Sequence, residues 1–151
     1  MYSLPPRQRQ LGLGEGNGVS TYFSANCGEP DAAIGGRFLD SIGLSAYNTR
    51  LFKDATGVYT VRLASATAAA EADDPVGALC KAHAFEGETF NVVRGDYAAL
   101  MARVVAGVLE AVPAAANEQQ TKMLEHYAKS FDLGSIDEHK DASRFWIQVL
   151  D

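Results

Sequence analysis

The apolar residues of this chain change period once, near residue 96, and that change narrows the folds open to it. Upstream, short runs alternate with a period of two. Downstream, apolar residues return every three or four positions. VSTYFS (19–24) places Val19, Thr21 and Phe23 on one face and Ser20, Tyr22 and Ser24 on the other, the pattern of a half-buried strand. SAYNTRLFK (45–53) and VYTVRLAS (58–65) are β-rich runs joined by DATG, where Gly57 supplies a hairpin turn. HAFEGETFNVV (83–93) has strand character, with Gly87 marking a bulge or a close backbone approach. One helix interrupts the series. Pro30 suits its first turn, and Ile34, Phe38 and Ile42 recur at four-residue steps up to Gly43. Gly35 and Gly36 lie inside it, each up to about 1 kcal/mol less favourable than alanine. Close packing of another backbone would explain them.

Downstream, Asp96 can N-cap YAALMARVVAGVLEAV, with Met101, Val104, Val105, Val108 and Val112 as its apolar face and Pro113 closing it. A second helix runs through EQQTKMLEHYAKSF, with Met123, Leu124, Tyr127 and Phe131 on one side and Gly134 as C-cap. SIDE (135–138) fits a capping box that opens a short third helix. SRFWIQVL reads as a strand or buried extension. The sum is an α+β fold: a small, mostly antiparallel sheet of about four to five strands, followed by two to three packed helices. Residues 1–18, with Pro5, Pro6 and the glycines of LGLGEGNG, read as a flexible lead-in. Residues 19–151 read as a single domain with a loop at 66–79.

At 151 residues and 47% hydrophobic content the chain can build a genuine core. A net charge of -6 argues against nucleic-acid or anionic-membrane partners, and the one basic cluster, PPRQRQ, reads as a solvated terminus. No apolar run approaches the ~20 residues that span a bilayer, and MYSLPPRQRQLGLG lacks a secretory h-region. The expected compartment is the cytosol, or an organelle lumen, with Cys27 and Cys80 as reduced thiols.

The residues that could carry chemistry are few. A catalytic zinc needs about three protein ligands, yet no two of His83, His126 and His139 stand three to five residues apart. No metal site is expected within the chain. It contains no G-x-S-x-G elbow, and neither cysteine sits in a catalytic signature. Arg94-Gly95-Asp96 spells an adhesion tripeptide but reads as a strand end entering a helix cap. The Tyr/Ser face of VSTYFS and an edge-like strand at 85–93 could together bind an extended peptide through main-chain hydrogen bonds. They could equally be interior members of one sheet.

Taken together, GVSTYFSANC, FLDSIGLSAYNTRLFK, VYTVRLAS, FNVVRGDYAAL, KMLEHYAKSF and GSIDEHKDASRFWIQ resemble the dipeptidyl peptidase III family of zinc exopeptidases, from about residue 11 onward. The resemblance implies an internal segment of such an enzyme. In that family the SRFWIQ-like segment precedes a helix carrying H-E-x-x-x-H and a later glutamate ligand, none of which this sequence contains. The cofactor expectation is therefore none in this chain, with zinc belonging to the parent family. The resemblance further implies that Tyr22 faces the scissile region of a bound peptide, and that the peptide joins a strand around Gly87 to Asn91. Two functions are expected on this basis. One is a zinc-less, catalytically silent domain that binds short peptides weakly. The other is a structural or interaction subunit whose apolar faces are covered by a protein partner.

Overall fold

Four strands form a sheet in the order β1-β2-β4-β3: β1 (Thr49–Lys53), β2 (Tyr59–Ala64), β3 (Ala82–Phe85) and β4 (Glu88–Asp96). A computed structural model describes residues 11–14, 18–69 and 79–149. Helix α1 (Glu29–Ser41) precedes the sheet, and α2 (Ala98–Ala111), α3 (Glu118–Leu133) and α4 (Ile136–Val149) follow it. The architecture is α+β, as the change of period predicts. The chain divides into two compact units. The first runs up to Arg62 and includes Lys81–Val92; the second takes Leu63–Cys80 and Val93 onward.

The first unit is built around aromatic rings. Phe38 of α1 stacks on Phe90 of β4 at 4.1 Å, and Tyr59 of β2 stacks on Phe90 at 4.7 Å. Phe85 and His83 of β3 meet Phe38 edge-on. Leu39, Leu51 and Val61, all buried, complete the core. In the second unit α3 packs against both α2 and α4. Its C-terminal end is tied to the segment after β2: Ala66 N–H donates to Phe131 O at 3.0 Å and Thr67 N–H to Asp132 O at 2.9 Å. Arg94, buried despite its charge, donates to the Leu133 carbonyl. These donors satisfy carbonyls that a helix end leaves open. With Arg94 buried, the Arg94-Gly95-Asp96 tripeptide presents no adhesive loop.

Several local expectations are corrected. VSTYFS is not a strand: Val19 and Phe23 form only isolated bridges, to Leu11 and Leu51. Ser20 Oγ accepts the Tyr22 N–H at 3.1 Å, a side-chain capture that bends the run out of extended geometry. Residues 46–48 form a 3-10 turn before β1 begins. HAFEGETFNVV is not one bulged strand but the β3–β4 hairpin, antiparallel in register Phe85↔Glu88 and Ala82↔Asn91. Glu86 (φ 49°) and Gly87 (φ 84°) form its two-residue turn. Two positive φ values are what the right-handed twist of the flanking strands favours.

The N-cap of α2 is Tyr97, itself left-handed at φ 59°, and Asp96 ends β4 instead. SRFWIQVL is neither strand nor extension: α4 runs through it to Val149, so the third downstream helix is long. The lead-in and the loop at 66–79 lie largely outside the described residues. Both cysteines are buried.

Candidate functional site

Tyr22 is held by its backbone. Its carbonyl accepts the Leu51 N–H at 2.8 Å and Ser24 N–H donates to Leu51 O at 3.0 Å, so β1 fixes the segment on the side away from β2. Polar residues of YFSANC pin the chain between Tyr22 and α1. Ser24 Oγ donates to Asn26 Oδ1 at 2.6 Å and accepts the Lys53 N–H at 3.0 Å. Asn26 Nδ2 donates to Lys53 O at 2.9 Å. Cys27, fully buried, has its sulfur 3.3 Å from Ser24 Oγ. The string therefore shapes a loop whose Tyr22 side chain stays 55% exposed.

Beside that loop sits a polar cluster. Asp31 in the first turn of α1 accepts from Lys53 Nζ at 2.8 Å and Tyr59 Oη at 2.6 Å on one oxygen, and from Gly28 N–H at 2.8 Å on the other. Burial pushes the Asp31 carboxyl upward, but the hydrogen bonds from Lys53, Tyr59 and Gly28 outweigh it and bring the pKa to about 2. The same carboxylate raises the Lys53 ammonium above its ordinary value through their hydrogen bond. The ion pair locks the start of α1 onto β1 and β2; it holds no proton poised for transfer near neutral pH.

Tyr22 lines a hollow of about 250 Å³ with Phe23, Gly36, Leu39, Leu51 and Val61 among its walls. A second hollow of about 220 Å³ is lined by Tyr22, Ala46 and Tyr47, the last 87% exposed. Gly87 and Asn91 lie elsewhere. Gly87 is in the hairpin turn and Asn91 pairs with Ala82. The segment at Tyr22 pairs with β1, and β4 lies two strands beyond it, so Asn91 is some three strand spacings away, roughly 14 Å. β4 has β2 on one side and β3 on the other; the edge belongs to β3. Tyr47 and both hollows carry no sequence pattern, because they arise from a 3-10 turn, a helix and a loop far apart in the chain.

The histidines do not converge. His83 lies against Phe38, and His139 against Tyr127. His126 Nδ1 is 2.6 Å from Glu138 Oε2 with its ring stacked on Phe145. That pair supplies two potential donors where zinc needs about three. Among the described residues no group of three histidine, cysteine, aspartate or glutamate side chains could hold a metal. The described residues therefore supply no ligand set that fits zinc. No described helix is long and apolar enough to cross a membrane.

A scan against protein-family models matches the description "Peptidase family M49" over residues 1–151. Among curated proteins, the chain is 49% identical over 153 residues to dipeptidyl peptidase 3 of Homo sapiens, covering 98% of this chain and 21% of that protein. It is 43% identical over 157 residues to dipeptidyl peptidase 3 of Nematostella vectensis, with the same two coverages. Against dipeptidyl peptidase 3 of Dictyostelium discoideum it is 43% identical over 150 residues, covering 99% of this chain and 20% of that protein. The chain spans about a fifth of the length of the curated relatives it matches.

Proposed function

This chain belongs to peptidase family M49, and on that footing we propose that it supplies a peptide-contact region, centred on Tyr22, to an enzyme of the dipeptidyl peptidase 3 type. In this reading the chain by itself is catalytically silent, because the described residues do not assemble the three or so ligands that zinc chemistry needs. The observation that carries the reading is the exposed Tyr22 phenol, held by a rigid backbone between two hollows. Gly87 and Asn91 belong to the β3–β4 hairpin at the opposite side of the sheet, beyond the reach of a short peptide seated at Tyr22, so they have no part in this site.

Calorimetric titration of the chain with a short neutral-to-basic peptide tests this. A one-sided site buries little surface, so binding should be weak but saturable. Tyr22→Phe should weaken it roughly two- to tenfold, the value of one hydrogen bond of about 0.5–1.5 kcal/mol. A folded monomer that releases no heat, or a Tyr22→Phe variant that binds equally well, would sink the reading.

A second reading, that the chain is a structural or interaction subunit, is favoured by one observation. Leu100, Val104 and Leu109 of α2, with Trp146 and Ile147 of α4, are all exposed.

A further inference from the structure

Gly35 and Gly36 are adjacent in the middle of α1, and packing accounts for only one of them. A Cβ on Gly35 would lie 2.7 Å from Leu51 Cδ2, so glycine there gives the Leu51 side chain of β1 its place against α1. A Cβ on Gly36 would meet nothing within 4 Å. Glycine is among the least favourable helix-interior residues, and nothing in α1 or the sheet uses the room that Gly36 leaves. Gly36 is exposed and is one of the residues that line the hollow of about 250 Å³ beside Tyr22.

The walls of the hollow are largely apolar. Thr49, a polar lining residue, directs its hydroxyl inward, donating to Ala46 O at 3.1 Å. Arg50 holds its guanidinium 5.0 Å from the Phe52 ring centroid. The volume falls below the ~300–1,000 Å³ of pockets that enclose whole drug-sized ligands and suits a single large side chain. Tyr22 and Ala46 line both this hollow and its neighbour, so a chain crossing Tyr22 meets both.

We propose that the hollow beside Gly36 is a specificity pocket for one bulky apolar side chain, of leucine or phenylalanine size, of a peptide lying across Tyr22. The proposal rests on the peptide reading above and adds the residue class that the peptide must carry. Gly36 is then a specificity-determining residue, kept without a side chain so that the guest can approach the helix backbone.

The test titrates the chain with tetra-alanine and its four single-leucine versions. One version should bind at least about tenfold more tightly than tetra-alanine, the usual yield of filling an apolar pocket. Gly36→Leu should bring that version to within about twofold of tetra-alanine. Gly36→Ala, which has room for its Cβ and gains helix propensity, should raise the melting temperature and reduce the leucine preference in part. It serves as the second variant if Gly36→Leu does not fold. If all five peptides bind alike and still depend on Tyr22, or if the leucine preference survives both substitutions, this proposal falls and the peptide reading stands. If no peptide binds, both fall together.

Discussion

Asp31 accepts from Lys53 and Tyr59 on one oxygen and from Gly28 on the other, and no pattern in the sequence marks it out. Gly28 is a local partner three residues back, but Lys53 and Tyr59 stand 22 and 28 residues along the chain, beyond any helix or strand period. The physics is nonetheless definite. Its pKa of about 2 lies below the ~3.9 of an unfolded aspartate, so its stabilisation is fully present above about pH 4 and is lost as pH falls toward 2. Asp31→Asn keeps the shape but loses the charge-assisted bonds, and should cost about 1–3 kcal/mol at neutral pH. The difference from the native chain should shrink between pH 4 and 2. Urea midpoints for both proteins at pH 7 and pH 3 check this; an equal gap at both values would mean that Asp31 contributes nothing through its charge. Tyr22 was legible for a different reason. The alternation put Tyr22 on the outer face, and it is exposed, but Val19 and Thr21 of the expected inner face are exposed as well, because the Ser20 capture breaks the strand.

The helix ends divide between those that follow local rules and those that do not. Gly134 was readable as the C-cap of α3 because one glycine after an apolar run is a local signal, and it adopts φ 68°. Its surroundings add a second constraint: a Cβ there would fall 2.6 Å from Ala64 O and 2.9 Å from Leu63 Cγ. Gly134→Ala therefore combines left-handed strain with overlap against backbone, and should destabilise by about 2–4 kcal/mol. Chemical denaturation measures it, and a loss under about 1 kcal/mol would mean that the end of β2 yields freely. The end of α4 misled because Phe145, Trp146, Ile147 and Val149 are strand-favouring residues. Tertiary contact overrides that preference. Glu138, Ala142 and Phe145 share one face at steps of four and three; Ala142 is fully buried, while Glu138 and Phe145 both engage His126 of α3. The capping box at SIDE is likewise half made. Ser135 Oγ accepts the Glu138 N–H at 3.2 Å, but the Glu138 carboxylate goes to His126.

At the scale of the whole molecule, the α+β class came from one change of period, because burying one face of a sheet and one stripe of a helix is a local demand. The hollows were not legible, since each is the space left between elements. The apolar content of α2 was legible but its consequence was not. AALMARVVAGVLEA carries only two charges, and none of its residues is buried in this chain, although α2 packs on α3. A helix that is apolar nearly all round normally lies inside a larger body. With Leu100, Val104 and Leu109 exposed, and Trp146 and Ile147 exposed on α4, the chain in solution should associate. Sedimentation should show the average mass rising above 16.1 kDa with concentration, while Leu100→Lys combined with Leu109→Lys should hold it at the monomer value. Trp146, the one tryptophan, reports on the same process if its own surface takes part. Its fluorescence should then become harder to quench with acrylamide as the native chain associates, and stay open to quencher in the double variant. The same two lysines should leave the peptide titration unchanged, because Tyr22 and its hollows are built from the loop before α1, from α1, the 3-10 turn, β1 and β2, and not from α2. A native chain that stays monomeric, with Trp146 equally quenchable at every concentration, would remove the support for an interaction subunit and leave the peptide site as the function to pursue.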